Sequence, residues 1–232
     1  TNDWKNVMLK ATSEAGKDYP KKDTVERMAW WAFKKETELF TNNPTIAHEN
    51  FEEYGKLVNK IFSYYNYRAL LIDTGFSPQG ALPFTSFKEI GKISMKPIFR
   101  LEYEAEKVFK ETKSFSDWWE LLKYRISHAR ENGFVGFKSI AAYRGGLRIN
   151  KPSLNEIESL FDKWRKNGSK RLSDKKIISF IIWNAAPLMI KQEMPLQFHC
   201  GYGDSDINLI TANPVLLQTL IKEYCYQGLK VV

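Results

Sequence analysis

The chain has 232 residues, 43% apolar and 27% charged, which is ordinary globular composition and excludes intrinsic disorder, collagen and a coiled-coil rod. Two Cys exclude a disulfide scaffold and lead to the expectation of a reducing, cytoplasmic compartment. The net charge of +8 is spread in pairs such as Lys21-Lys22 and Lys175-Lys176, with no run of five like charges. The expectation is therefore a solvated Lys-rich surface, with no nucleic-acid partner.

The chain opens on Thr1, with no basic-then-apolar leader, so secretion is not expected and a start inside a longer gene product is. Residues 1–66 read as helix. Val25, Met28, Ala29, Ala32 and Phe33 form one apolar stripe, and Phe51, Tyr54, Val58, Ile61, Phe62 and Tyr65 form another at i, i+3, i+4 spacing. Asn42-Asn43-Pro44 separates the two as a loop. From residue 67 short apolar runs alternate with amphipathic helices. The runs are residues 69–73, 96–101, 134–140, 195–199 and 229–232, and Ser77-Pro78-Gln79-Gly80 is a turn after the first.

Helices between these runs have recognisable ends. Ser153-Leu154-Asn155-Glu156 fits a capping box, with Ile157, Leu160, Phe161 and Trp164 on one face. Trp118, Leu121, Leu122, Arg125 and Ala129 make the stripe of the helix before the third run. Asn213-Pro214 starts a helix that Gly228 can close. Residues 177–190 are nearly all apolar, but Asn184 and Pro187 interrupt them, and they fall short of the ~18–20 residues a membrane span needs. Trp30-Trp31 and Trp118-Trp119 read as core and lid packing.

Strands alternating with helices imply a parallel α/β sheet, and no Gly-rich phosphate loop supports a Rossmann fold. Alternation along each strand gives one face that is purely apolar and another that becomes polar at the carboxyl end. Asp73, Arg100, Lys138 and His199 are expected to converge there. Active sites of (β/α) barrels sit at that end, so a barrel is expected.

Chemistry concentrates at the same end. His199 ends a strand just before Cys200-Gly201-Tyr202-Gly203-Asp204, which suits a metal ligand or an acid/base, against a core His bonded to a carbonyl. Lys138 reads as a low-pKa base, an anion anchor, a carbamylated metal ligand or a side chain snorkelling to the rim. Arg144, in Tyr143-Arg144-Gly145-Gly146, could fork onto a substrate carboxylate. Asp73, Arg100 and Glu102 read either as substrate-binding groups or as an internal ion-pair network. Asp204 could bind substrate or cap the next segment. Cys200 alternates away from His199 and is not expected to act with it, and His48 and His128 read as surface residues.

Residues 135–144 and 195–204, continued by residues 208–217, resemble the amidohydrolase-related family, and within it the branch fused to glutamine synthetase in some plant and fungal proteins. The resemblance implies a (β/α)8 TIM barrel holding a divalent metal, usually zinc, that hydrolyses an amide or related bond through metal-activated water. It makes His199 a metal ligand and Lys138, where carbamylated, a second, with both as catalytic residues. Asp73, Arg100, Glu102, Tyr143, Arg144 and Asp204 are expected to bind substrate. The chain departs from the family in having Cys200 where Thr is expected and in lacking a His-x-His pair.

The resulting expectation is a partial (β/α)8 barrel over residues 67–232, strands two to six, behind a helical segment over residues 1–66. The chain is read as a fragment, inactive by itself, of a zinc-dependent hydrolase. Its substrate is a small molecule bearing a carboxylate, no membrane is involved, and the open sheet edges favour a homo-oligomer. Decarboxylase or sugar-acid isomerase chemistry is the alternative within the superfamily, and a non-catalytic binding module is the alternative outside it.

Overall fold

The computed structural model describes residues 35–36, 38–41, 50–76, 81–203 and 206–232. The stripe within residues 25–33, Trp30-Trp31, the Asn42-Asn43-Pro44 loop, His48, the turn at residues 77–80 and Asp204 lie outside the described residues. The chain divides into two compact units, Thr1–Leu70 with Gln79–Met95 and Leu71–Pro78 with Lys96–Val232.

In the first unit, α1 (Phe51–Tyr64) starts at Asn50, whose side chain accepts the Glu53 amide at 3.1 Å. It carries Glu52 and Glu53 in its first turn, where negative charge opposes the exposed amides. Asn59 on α1 explains why the segment holding α2 (Phe84–Ile90) joins this unit. Its amide nitrogen donates to the Ile90 carbonyl at 2.6 Å, and its amide oxygen accepts the Lys92 N–H at 2.7 Å.

The sheet has four strands, β1 (Ala69–Asp73), β2 (Ser94–Arg100), β3 (Phe137–Ser139) and β4 (Leu196–Phe198), in the order β1-β2-β3-β4. β3 pairs in parallel with β2, Arg100 opposite Lys138, and with β4, Lys138 opposite Gln197. Phe99, Phe137, Leu196 and Phe198 are buried on one face, while Arg100, Lys138 and Gln197 on the other keep partial access to solvent.

Behind the apolar face lie α3 (Leu101–Glu111), α4 (Phe115–Ser127), α5 (Leu154–Lys166), α6 (Lys175–Lys191) and α7 (Gln218–Tyr224). Their buried side chains and those of β2, β3 and β4 form one core. α6 is apolar around most of its circumference and is accordingly buried along most of its length. No described helix is long and apolar enough to cross a membrane. Trp118 on α4 is fully buried among Phe115, Phe161 and Trp164, and its indole N–H donates to the Ala105 carbonyl at 3.0 Å. Asn213 caps the 3-10 turn Pro214–Leu217 that leads into α7, and Gly228 follows in the left-handed region at φ 108°.

Three expectations need correction. The (β/α)8 barrel, whole or in part, is not what the described residues form: they make a four-stranded sheet, and residues 229–232 contribute one isolated bridge, Leu196 to Val231, in place of a fifth strand. Side-chain alternation reports the two faces of a sheet. Closure depends on strand number, tilt and shear, which alternation does not encode. The capping box at Ser153 does not form, because the Glu156 carboxylate pairs with Lys176 and the Ser153 side chain makes no cap bond. The run at residues 96–101 is not strand to its end: β2 stops at Arg100, and Leu101 opens α3, with Glu102 buried in its first turn.

Candidate functional site

Asp73 ends β1, Arg100 ends β2, Lys138 is the middle residue of β3, and His199 immediately follows β4. Parallel strands pointing the same way put these positions near one rim, and a rise of roughly 3.3 Å per residue sets their offsets. His199 is two residues beyond Gln197, the partner of Lys138, and its amide donates to the Ser139 carbonyl at 3.1 Å.

Three of the four are in direct contact. Arg100 Nε and Nη2 donate to Asp73 Oδ2 at 2.9 and 2.5 Å, and Lys138 Nζ stands 3.2 Å from the same oxygen. The Gly75 amide donates to Asp73 Oδ1 at 2.9 Å, and Arg100 Nη1 donates to the Gly75 carbonyl at 3.1 Å. Burial alone would raise the Asp73 pKa. The Arg100 hydrogen bond, the Gly75 amide and the Arg100 and Lys138 charges outweigh it and hold the carboxyl below the usual aspartate value. One anion faces two cations, so the trio keeps a net positive charge toward anything that approaches it.

His199 is separate from that trio. Its Nε2 is buried and has no hydrogen-bond partner among the described residues, and its ring lies against Tyr143 with centroids 4.6 Å apart. Gly203 folds back over both groups. A Cβ there would come within 2.9 Å of His199 Nε2 and 2.3 Å of the Tyr143 hydroxyl oxygen, so only a glycine lets the loop close this tightly over the ring nitrogen. Gly201, at φ +73°, makes the turn that brings Gly203 back, tied by its amide to the Ala212 carbonyl at 2.9 Å. Cys200 points to solvent.

The other sequence candidates serve the layer between sheet and helices. Glu102 Oε1 accepts the Ser139 hydroxyl at 2.6 Å and the Ile140 amide at 3.1 Å, while Oε2 is buried without a partner. Burial pushes the Glu102 carboxyl up, with those two hydrogen bonds opposing it. Arg144 forms an ion pair with Glu106 at 3.2 Å and donates to the Leu172 carbonyl at 2.9 Å, leaving Nε without a partner. His128 sits at the end of α4, with Nδ1 2.8 Å from the Tyr124 carbonyl oxygen.

Sequence reasoning passed over Glu106 and Ser139. Both had a signal. Glu106 is i+4 from Glu102 on one helix face, and Ser139 alternates with Lys138 onto the buried side of β3. Gly203 was read only as part of a Gly-rich turn whose backbone can approach a ligand, and the groups it returns to were not legible.

His199 fits a metal ligand by its donor chemistry and its buried, unpartnered ring nitrogen. Among the described residues, however, no three His, Cys, Asp or Glu gather into a metal site. Lys138 Nζ stands 3.2 Å from Asp73 Oδ2, so a carbamate on that nitrogen would face the carboxylate as a second anion.

No protein-family model matches the chain. Over an alignment of 130 positions the chain is 34% identical to protein FluG of Emericella nidulans, covering 49% of this chain and 15% of FluG. Among solved structures, the chain matches a protein from Lactobacillus casei described as a "putative metal-dependent hydrolase". The match has a TM-score of 0.91 and 37% sequence identity, over 99% of this chain and 62% of that one. The chain thus spans less than two thirds of the solved relative and a small part of FluG, and over nearly its whole length it shares both fold and sequence with the former.

Proposed function

We propose that the chain is the part of a metal-dependent hydrolase that supplies one metal ligand, His199, and an anion-holding rim for the substrate. The observation that carries this is the buried, unpartnered Nε2 of His199, over which the loop closes at Gly203. A buried ring nitrogen without a partner is costly, and a bound ligand relieves the cost. The similarity to the Lactobacillus casei protein supports the reading, as does the resemblance of residues 135–144 and 195–204 to amidohydrolases, which points to an amide or related bond and to zinc.

A metal bound there would supply a Lewis acid and a water acidic enough to attack at neutral pH. The chain's own residues do the rest. Lys138 and Arg100, held by Asp73, present positive charge to a substrate carboxylate. Tyr143, packed on the His199 ring, fixes the ring plane, and Gly203 excludes bulk from in front of Nε2. A catalytic zinc ordinarily takes three protein ligands, so the remaining donors would come from beyond the described residues.

The test is metal-stimulated hydrolysis of a panel of amides, lactams and esters by the complete gene product, with and without a chelator. Turnover that the chelator removes, and that His199→Phe lowers at least about a hundredfold, is expected for a residue whose loss removes a ligand. Chelator-insensitive hydrolysis, or a fully active His199→Phe enzyme, would overturn the proposal. A protein that binds substrate-like carboxylates without turnover would be the binding module instead.

A further inference from the structure

A cavity of about 620 Å³ that does not include His199 is lined by the loop after β3, the starts of α5 and α6, and the turn at residues 210–211. That volume is in the range of small-molecule sites. Four cations line it, Arg148, Lys151, Lys175 and Lys176, against one carboxylate, Glu156. Glu156 is paired with Lys176, whereas Arg148, Lys151 and Lys175 have no ion-pair partner among the described residues.

The cavity has a built wall. Gly145 and Gly146, at φ +151° and +100°, bring the loop so close that a Cβ would meet the Lys175 Cβ at 2.7 Å and the Thr211 Cβ at 2.8 Å. It also has a polar lining. Ser179, on the second turn of α6, is 8% exposed and lines the cavity. Ser153 lines it too, with its side chain free of the helix it precedes. The start of α6 contributes less, because Asp174 already accepts the Lys176 and Ile177 amides.

We propose that this cavity binds a phosphate-bearing small molecule. Three unpaired cations and two hydroxyls match a group with close to two charges and three acceptor oxygens better than they match one carboxylate. The volume leaves room for an organic moiety beyond the phosphate. The site shares no residue with the His199 and Asp73 clusters, so it stands or falls independently of the hydrolase reading.

The test is calorimetric titration of the complete gene product with inorganic phosphate, pyrophosphate and citrate at matched ionic strength. Pyrophosphate should bind, and Lys175→Ala or Arg148→Ala should each weaken it about tenfold, as expected for loss of a charge-assisted hydrogen bond. Ser179→Ala should weaken it severalfold. Glu156→Gln, which removes the competing carboxylate, should tighten it, a gain that damage to folding cannot mimic. Lys163→Ala, outside the cavity, should leave binding unchanged. No binding of either phosphate probe, tighter binding of citrate than of pyrophosphate, or equal losses in Lys163→Ala and Lys175→Ala would each overturn the proposal.

Discussion

At the β1 and β2 end of the sheet rim, Asp73 is answered by Arg100, Lys138 and the Gly75 amide, whereas at the β4 end the Nε2 of His199 is buried with no partner among the described residues. Both regions stand on the same strand ends and both hold titratable groups. In the first the single carboxylate is fully answered, which fixes the shape of the rim while one positive charge is left over. The second keeps an unanswered polar atom, and native structures tolerate few of those without a ligand or a water to meet them. Strand-end position therefore marks where chemistry can sit, and hydrogen-bond satisfaction separates a rim that holds its own shape from an atom that awaits a ligand.

The largest expected effect tests the scaffold side. Asp73→Asn keeps the shape and the Gly75 hydrogen bond but leaves Arg100 and Lys138 without their counter-charge. Breaking a largely buried ion-pair network of this kind costs about 3 kcal/mol, read by denaturant unfolding at pH 7. A loss under about 0.5 kcal/mol would place the trio with ordinary surface pairs.

Two carboxylates sharpen the comparison through pH. Asp73 has a lowered pKa in the fold, so its contribution is present above the ordinary aspartate value and is lost as pH falls through the folded value. Glu102 has a raised pKa, so its contribution is full below the ordinary glutamate value and is lost as pH rises through the folded one. Unfolding free energy measured from pH 2 to 8 should therefore rise and then decline. Glu102→Gln should remove the decline and add about 1 kcal/mol near neutrality, because it takes away a buried charge while Ser139 and Ile140 keep an acceptor. A decline that persists in Glu102→Gln would assign it elsewhere.

The smallest effect belongs to the other side. His199→Phe keeps the ring against Tyr143 and deletes the unanswered nitrogen, so stability without added metal should change by less than about 1 kcal/mol. A large loss would make His199 a structural residue.

Much of this was legible in the chain. β1 spans the apolar run at residues 69–73, and β3 and β4 show the expected alternation, with Phe137, Leu196 and Phe198 buried and Lys138 and Gln197 facing the other way. Alternation has a strict period of two, so a short run suffices to read it. Arg144 and Glu102 show where reading stopped. Arg144 was read as a substrate group and Glu102 as a substrate group or part of an ion-pair network, from position along the chain alone; Glu106, Leu172 and Ser139, which hold them, are brought there by the packing of α3, β3 and the segment before α6. The barrel expectation failed for a similar reason, since strand count and closure are properties of the assembled sheet. The tight closure over His199 depends on Gly203 returning to the ring, and the Gly-rich turn did not record which groups it would meet.

The central claim is that His199, and not the Asp73 trio, is where the metal is held. It is tested by titrating zinc into the complete gene product as wild type, His199→Phe and Asp73→Asn, with affinity read by calorimetry and bound metal by elemental analysis. The account expects His199→Phe to weaken zinc at least about tenfold, as loss of an inner ligand should, and expects Asp73→Asn, once shown to be folded, to bind it within about twofold of wild type. Unchanged zinc affinity in His199→Phe, or a loss confined to Asp73→Asn, would contradict it.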